Sequence, residues 1–478
     1  MSPNDAQPPA PQFPCDGCPE DARSQRLLGI YDQVQDGLHM QRVKVHAGRI
    51  SPRQLRAVAE LARAHTPGCP LHLTTRQDVE LHGLKAEDVP AVQHALKRAG
   101  LTSLGSGGDT LRNVTACPGS GLCRGSADAI GIADAVRRAA EALPGIRNMP
   151  RKFKICVSGC PRACARPWIT DLGIVANGDG SFRVIGAGSL GARPATGVEL
   201  YAGLPADRLV PLVVGALRLF EAEGDRQKRS RARLRHVRER LGDAEFRRRL
   251  DEAFREELAA DAWPSPPAQQ VEDEGVPIQA RLLLPHGDMG PALAVELADA
   301  AEAARAVMRI GFEHDVWLYG PAMPALGAEL SAMAAARAAV TACPGSTWCL
   351  RGLADTRSAA DRVRAALPDG AGLAVSISGC PNNCSHAAVC DVGLVGRAAT
   401  VDGRRTECFR LLAGGDKGRG PRLAREVHAA VPADKVGPAV SRLAALYAGS
   451  RRDRESFTEF VERRFEDLQG EAARLSPS

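Results

Sequence analysis

The chain is 478 residues long, 44% hydrophobic and 25% charged, and its 62 basic and 56 acidic residues leave a net charge of +6. That length exceeds a single ordinary core and suggests about three domains, with the composition of a soluble globular protein. A polar, Pro-rich N-terminus without an apolar h-region argues against a secreted disulfide scaffold, no apolar run reaches the length of a membrane span, and the cytoplasm is the expected compartment.

Residues 1–37 read as a flexible N-terminal extension. Its Cys15-x2-Cys18 pair has no second pair nearby to complete a zinc site, and reads as a surface thiol pair. Residues 38–104 read as a small α+β unit: RVKVHAG as a strand, Pro52–His65 as an amphipathic helix, LHLTT and VELHGL as short strands, and Val89–Arg98 as a helix. Residues 105–262 carry a first cysteine pair, a helix over 127–142, strands FKICVSG, DLGIVA and FRVIGAG, and charged helices over 205–260. Within them the basic run Arg226–Arg240 is soon followed by acidic residues and reads as a solvated helical face. With few aromatics interleaved, it does not read as a nucleic-acid surface. A Pro-rich linker, 263–275, then leads into a repeat of the same order. Residues 276–336 hold strand IQARLLLP, a helix over 291–307 and strand VWLYG; residues 337–470 hold a second cysteine pair, a helix, and strands AVSISG and DVGLVG. The expected fold is α+β, duplicated, with two halves related by a pseudo-twofold axis.

The repeat is clearest in its cysteines. VTACPGSGLC and VTACPGSTWC each set a C-x5-C pair, and SGCPRAC and SGCPNNC each set a C-x3-C pair. Two quartets result: Cys117, Cys123, Cys160 and Cys164, and Cys343, Cys349, Cys380 and Cys384. Zinc sites favour shorter spacing, whereas four thiolates are the usual complement of an iron–sulfur cluster. Pro118, Gly119, Gly159 and Pro161, with their second-half counterparts, let backbone amides approach sulfur. Any one cysteine could be a buried free thiol; eight at matched spacing do not read that way.

From about Gly37 to Gly470 the sequence resembles the sirohaem-dependent nitrite and sulfite reductases, through LTTRQDVELHGL (73–84), GDTLRNVTACPG (108–119), PRKFK (150–154) and the second quartet's motifs. The resemblance implies that each half is a small ferredoxin-like α+β unit followed by a larger α+β domain of the sirohaem and iron–sulfur type. It implies a [4Fe–4S] cluster on Cys343, Cys349, Cys380 and Cys384, with Cys384 bridging to the sirohaem iron, and anion-binding and catalytic roles for Arg76, Arg112, Lys152 and Lys154. The intact first quartet departs from single-cluster members of the family: it is either a second cluster site or a remnant of a symmetric ancestor.

The residues agree with the resemblance. Lys152 and Lys154 alternate along a strand-like run, so both project from one face while Phe153 points to the other. Two adjacent cations are costly without an anion between them, and Arg76 and Arg112 add planar donors suited to oxyanions. Alone, each would read as an ordinary exposed base. The second half lacks equivalents: VWLYGPAMPALG stands against TTRQDVELHG, DGAGLAVSISGC against PRKFKICVSGC, and Arg337 is one residue out of register with Arg112. Only one composite site is therefore expected, with basic residues of the first half over the cysteines of the second.

The activity implied is six-electron reduction of sulfite to sulfide, or of nitrite to ammonia. Lys154 leans toward sulfite, because plant-type nitrite reductases tend to carry asparagine there. The formal G-x-G-x-x-G of Gly186–Gly191 is weak alone, so electrons are expected from a partner, a ferredoxin or a separate reductase subunit. A precorrin-3B synthase-like enzyme and a non-catalytic iron–sulfur electron carrier are the rival readings. His82 and His386 read as polar packing residues.

Overall fold

The computed structural model describes residues 25–267, 271, 274–336, 340–368, 371–401 and 403–474. Cys15, Cys18 and Arg337 lie outside them. The duplication is plain in four sheets. The two larger ones run Thr115–Ala116, Ile155–Ser158, Leu172–Ala176, Ser181–Gly186, Val198–Pro205, and Val340–Ala342, Val375–Ser378, Val392–Val401, Arg404–Ala413, Arg425–Pro432. In each, the first two junctions are parallel and the last two antiparallel. Each therefore presents the loops after two buried parallel strands, and these loops carry the cysteines.

The two smaller units share one core. Ser51 and Gln54 form a capping box and Pro52 takes the first turn, so the helix begins where its apolar face begins. It runs Pro52–His65 and buries Leu55, Val58, Ala59 and Ala62 in a cluster that also holds Leu282, Leu297 and Leu318 of the second half. RVKVHAG does not continue as a strand. Leu38–Val43 ends and the chain turns through His46–Gly48, with Ala47 at φ 51°. Its counterpart is Pro285–Gly287, with His286 at φ 57°. At both turns the partner half comes too close for a side chain: a Cβ on Gly48 would lie 2.5 Å from the Ile310 carbonyl, and one on Gly287 would lie 2.7 Å from that of Leu73. The segment leaving each turn then pairs across the molecule. Asp288–Met289 adds to Leu71–Leu73 as the fifth strand of the first small sheet, and Arg49 bridges Arg309.

Four details depart from expectation. Ile30–Asp32, inside the stretch read as an extension, is an edge strand against His39–Gln41. The helix beginning at Pro291 stops at Ala303, and Val307–Ile310 is a strand. Strands Val198–Pro205, Arg404–Ala413 and Arg425–Pro432 were not foreseen, their apolar residues being too sparse on half-exposed outer positions. In the basic run read as solvated, Arg233 is buried, its guanidinium gripping Asp171.

Asp288 joins the halves, accepting from His72 at 2.9 Å and from Arg357. Burial acts to raise its pKa, but those two partners overcome it and hold the carboxyl at about 2. A depressed carboxylate stabilises the fold above its unfolded pKa and loses that contribution as pH falls through the folded value. Asp288→Asn is expected to cost about 2 kcal/mol near neutrality. In denaturant titrations the gap from wild type should close between about pH 4 and about pH 2.

Candidate active site

Both quartets sit on matched turns. In the second half, Cys343 N–H donates to Ile377 O at 3.1 Å, Gly379 N–H points at Cys343 Sγ at 3.2 Å, and Cys349 N–H closes a turn on Gly345 O at 2.9 Å. Asn383, at φ 60°, turns the C-x3-C loop back toward the strand end. Burial pushes the Cys343 thiol up to about 12 and that of Cys380 to about 11, with the neighbouring thiols adding to the rise. Such thiols ionise when a metal centre supplies the compensating charge. Among the described residues no three His, Cys, Asp or Glu side chains are placed to hold one metal ion. The four thiols nevertheless lie close enough to act on one another's ionisation.

The first half reaches this quartet directly. Thr75 Oγ1 donates to the Cys384 carbonyl at 2.8 Å. Thr75 belongs to a turn tied by Thr74 Oγ1, which accepts from the amides of Arg76 and Asp78 at 3.2 and 3.0 Å. Gln77, at φ 61°, anchors it, donating to the carbonyls of Ala116 and Ile310 at 2.8 Å each and accepting from the Ala116 amide at 3.0 Å. With Gln77 fixed on one side, Arg76 is turned into a cavity lined also by Thr75, Thr115, Lys154, Arg166, Phe312 and His386.

The cavity's dominant property is unbalanced positive charge. Lys152 and Lys154 flank Phe153, which is fully buried in the core, as the strand alternation predicts. Burial, then the charges of Arg233, Arg112 and Arg151, brings Lys152 down to about 7, against an opposing pull from Cys384. Lys154 is pushed well below the lysine range by burial and by Arg76, Lys152, Arg233 and Arg112. Burial and Arg112 lower Arg76 to about 10, and burial lowers Arg112. Arg76 Nη2 donates to Asn113 O at 2.7 Å and Arg112 Nη2 to Ser106 O, but the buried Nε of each has no partner. The four basic residues and the second quartet thus come together, and two aimed donors await an anion.

Other residues here escaped the sequence reading. Asp171 accepts from Arg233 Nε and Nη2 at 3.0 and 2.6 Å and from the Lys154 amide at 2.7 Å, so it fixes the lysine's backbone and brings a further cation close. Arg166 and His386 each follow the last cysteine of a quartet by two residues, in left-handed conformations at φ 63° and 65°. They meet, Arg166 Nη1 lying 2.6 Å from His386 Nδ1. Burial and Arg166 push His386 well below the usual histidine range, so the neutral ring accepts from the guanidinium. His386 is therefore a wall of the cavity as well as a packing residue. His82 sits elsewhere, between Glu80, Gln33 and the ring of Trp348. The glycines of Gly186–Gly191 precede no helix: strand Ser181–Gly186 leads to strand Val198–Pro205.

The structure also corrects the counterpart of TTRQDVEL. Gln77 and His314 are matched by left-handed backbones and by lying beneath Gly48 and Gly287. The second-half segment is therefore GFEHDVWL, which ends in strand Asp315–Tyr319, and Glu313 stands where the first half has Arg76. The two composite sites thus differ: Arg76 keeps an unpartnered Nε, whereas Glu313 is paired with Arg166 and Arg281.

A profile described as the nitrite and sulphite reductase 4Fe-4S domain matches residues 107–258 and 333–464, more than half the chain. The chain belongs to the nitrite and sulfite reductase family. A second profile, the nitrite/sulfite reductase ferredoxin-like half domain, matches residues 31–99. The reductase is 29% identical to the assimilatory ferredoxin-dependent nitrite reductase of Haloferax mediterranei, over 93% of this chain and 86% of that one. It is 29% identical to the ferredoxin–nitrite reductase of Synechococcus elongatus, over 88% and 89%. It is 25% identical to a sulfite reductase [ferredoxin] of Mycolicibacterium paratuberculosis, over 91% and 84%. The Mycobacterium tuberculosis NirA structure shares the fold, with a TM-score of 0.79 at 21% identity, over 95% of this chain and 92% of that one. The reductase is an oxidoreductase, and its family implies sirohaem and a [4Fe–4S] cluster. The residues fit both groups: four convergent thiols for the cluster, and unpartnered buried guanidinium donors for the carboxylates of a sirohaem.

Arg233 and Asp171 form a buried pair, and removing one partner of such a pair strands the other. Arg233→Met is expected to cost about 3–5 kcal/mol in chemical denaturation. Adding Asp171→Asn should recover part of that loss.

Proposed function

We propose that the reductase converts nitrite to ammonia in a six-electron reaction, with ferredoxin as electron donor. The observation that carries this reading is a composite cluster: Arg76 and Lys154 line the cavity, Lys152 and Arg112 lie close to them and to Cys384 of the second half, and the Thr75–Cys384 hydrogen bond ties the halves there. The names of the Haloferax and Synechococcus relatives support nitrite and ferredoxin, and a centre reducing a small anion supports the same class. No helix among the described residues is long and apolar enough to cross a membrane.

In this reading Cys343, Cys349, Cys380 and Cys384 would hold the [4Fe–4S] cluster, with Cys384 on the side that the basic residues face. When bound, the cluster and sirohaem supply single-electron storage and an iron centre for multi-electron reduction. The chain's residues do the rest. Arg76 and Arg112 have fixed Nε donors for oxyanion or macrocycle carboxylate groups, and fixed donors cost no reorganisation when negative charge arrives. Lys154 and Lys152 are held below their usual range by burial and by the cations around them. An arriving anion lets each lysine take up a proton, which can then pass to an oxygen leaving as water. His386, neutral and fixed by Arg166, closes the cavity on the side of Lys154.

Lys154 itself favours a second reading, sulfite as substrate, since the additional cation suits the more negative anion. Steady-state turnover with reduced ferredoxin decides between them. Nitrite is expected to have the higher kcat/KM, and a clear preference for sulfite would overturn the assignment. Lys154→Met should lower kcat/KM by roughly 100-fold or more while the sirohaem absorbance persists. Unchanged turnover in that variant would remove Lys154 from the chemistry.

A further inference from the structure

We propose that the first quartet, Cys117, Cys123, Cys160 and Cys164, binds a second [4Fe–4S] cluster, and that no haem accompanies it. The second quartet, read above as the cluster site, supplies a template, and the first reproduces its cradle bond for bond. Cys117 N–H donates to Val157 O at 3.1 Å, as Cys343 does to Ile377 O at 3.1 Å. Gly159 N–H points at Cys117 Sγ at 3.3 Å, and Gly379 N–H at Cys343 Sγ at 3.2 Å. Cys123 closes its turn on Gly119 O at 2.9 Å, and Cys349 on Gly345 O at 2.9 Å. Both C-x3-C loops pass through a left-handed residue, Ala163 at φ 53° and Asn383 at φ 60°, and both are tied by a serine, Ser158 or Ser378, at 3.1 Å. Alanine gains nothing locally from a left-handed backbone, so the loop holds it there against a steric cost.

Each C-x5-C loop is also strapped by the segment that leads into the opposite half. Gln33 bridges Cys349, and Val34 N–H donates to Trp348 O at 3.2 Å. In the same way Gly275 bridges Cys123, and Val276 N–H donates to Leu122 O at 2.8 Å. A Cβ on Gly119 would lie 2.4 Å from Cys123 Sγ, so glycine leaves the room this sulfur occupies. All four cysteines are free of disulfides, and no three of them are placed for a single metal ion. Four strapped thiols with an amide aimed at one of them suit a four-thiolate iron–sulfur cluster, and the match to the second quartet's cradle points to [4Fe–4S].

What differs is the charge above the quartet. Glu313 takes the place of Arg76 and is gripped by Arg166 and Arg281 at 3.3 and 2.6 Å. Phe312 takes the place of Thr75 and packs on Cys156 and Ala165, in place of a hydrogen bond to the loop. Ala374 and Leu373 stand where Lys154 and Phe153 do, so no lysine arrives from that side. There the arginines that a carboxylate-bearing macrocycle would use are already engaged by Glu313, and an apolar ring stands in the place of Thr75.

The test is elemental analysis of anaerobically purified holoprotein, scaled to sirohaem absorbance. Two clusters and one haem predict about eight acid-labile sulfides and about nine irons per sirohaem. About four sulfides and about five irons would overturn the proposal, as would zinc in place of the second cluster's iron. Cys117→Ser with Cys160→Ser is expected to halve the labile sulfide and leave the sirohaem band unchanged. If that variant does not fold, the wild-type ratio decides alone. The proposal rests on the reading of the second quartet as a cluster site but not on the substrate: eight sulfides without nitrite turnover would sink the nitrite assignment and leave this one standing.

Discussion

Like charges crowded into a poorly solvated space organise this molecule. Two cations about 4 Å apart at the effective dielectric of a protein repel by about 4 kcal/mol, and the cavity gathers Arg76, Arg112, Lys152 and Lys154 with Arg233 close behind. Their anchors come from both halves. Arg233 is anchored by Asp171, Arg76 by a turn fixed through Gln77 to both halves, and Arg166 by Glu313 and His386. The repulsion that remains is expressed as lysines below their normal range, a state that an arriving anion relieves.

Duplication supplies the scaffold and charge substitution breaks its symmetry. Two sheets of one topology bring two quartets to equivalent loops, and paired turns at Ala47 and His286 send each half across to the other. On this frame Arg76 keeps a free donor, whereas its counterpart Glu313 ties up two arginines. The chain keeps both cradles but only one anion cavity.

Much of this could be read in the sequence. Helices Pro52–His65 and Val89–Arg98 are found with the expected bounds, because proline at their first turn and strong amphipathic spacing mark them. The quartets stand out by their spacing and the lysine pair by its alternation around Phe153, whereas Arg76 and Arg112 are singled out only by the family resemblance of TTRQ and LRNV. What was not legible depends on contacts distant in sequence. Arg233 hides in a run of arginines that looks solvated, and only its pairing with Asp171 draws it inward. Setting VWLYGPAMPALG against TTRQDVELHG hides Glu313, which the structure matches to Arg76. The left-handed residues Gln77 and His314, which fix the true register, carry no compositional signal. The preference for sulfite rested on Lys154 alone, while relatives named for nitrite pull the other way.

The Thr75–Cys384 hydrogen bond spans 309 residues of sequence. A ribosome releases the anion-binding turn long before the loop that completes its cavity, whereas Gly275 can strap Cys123 soon after the first half emerges. Contacts of such separation form late, because the closure entropy of the long loop must be met first. Order of synthesis therefore separates the two cysteine sites in time. The first can close around its contents while the second half is still unmade, and the basic cavity is finished only when the chain is nearly complete.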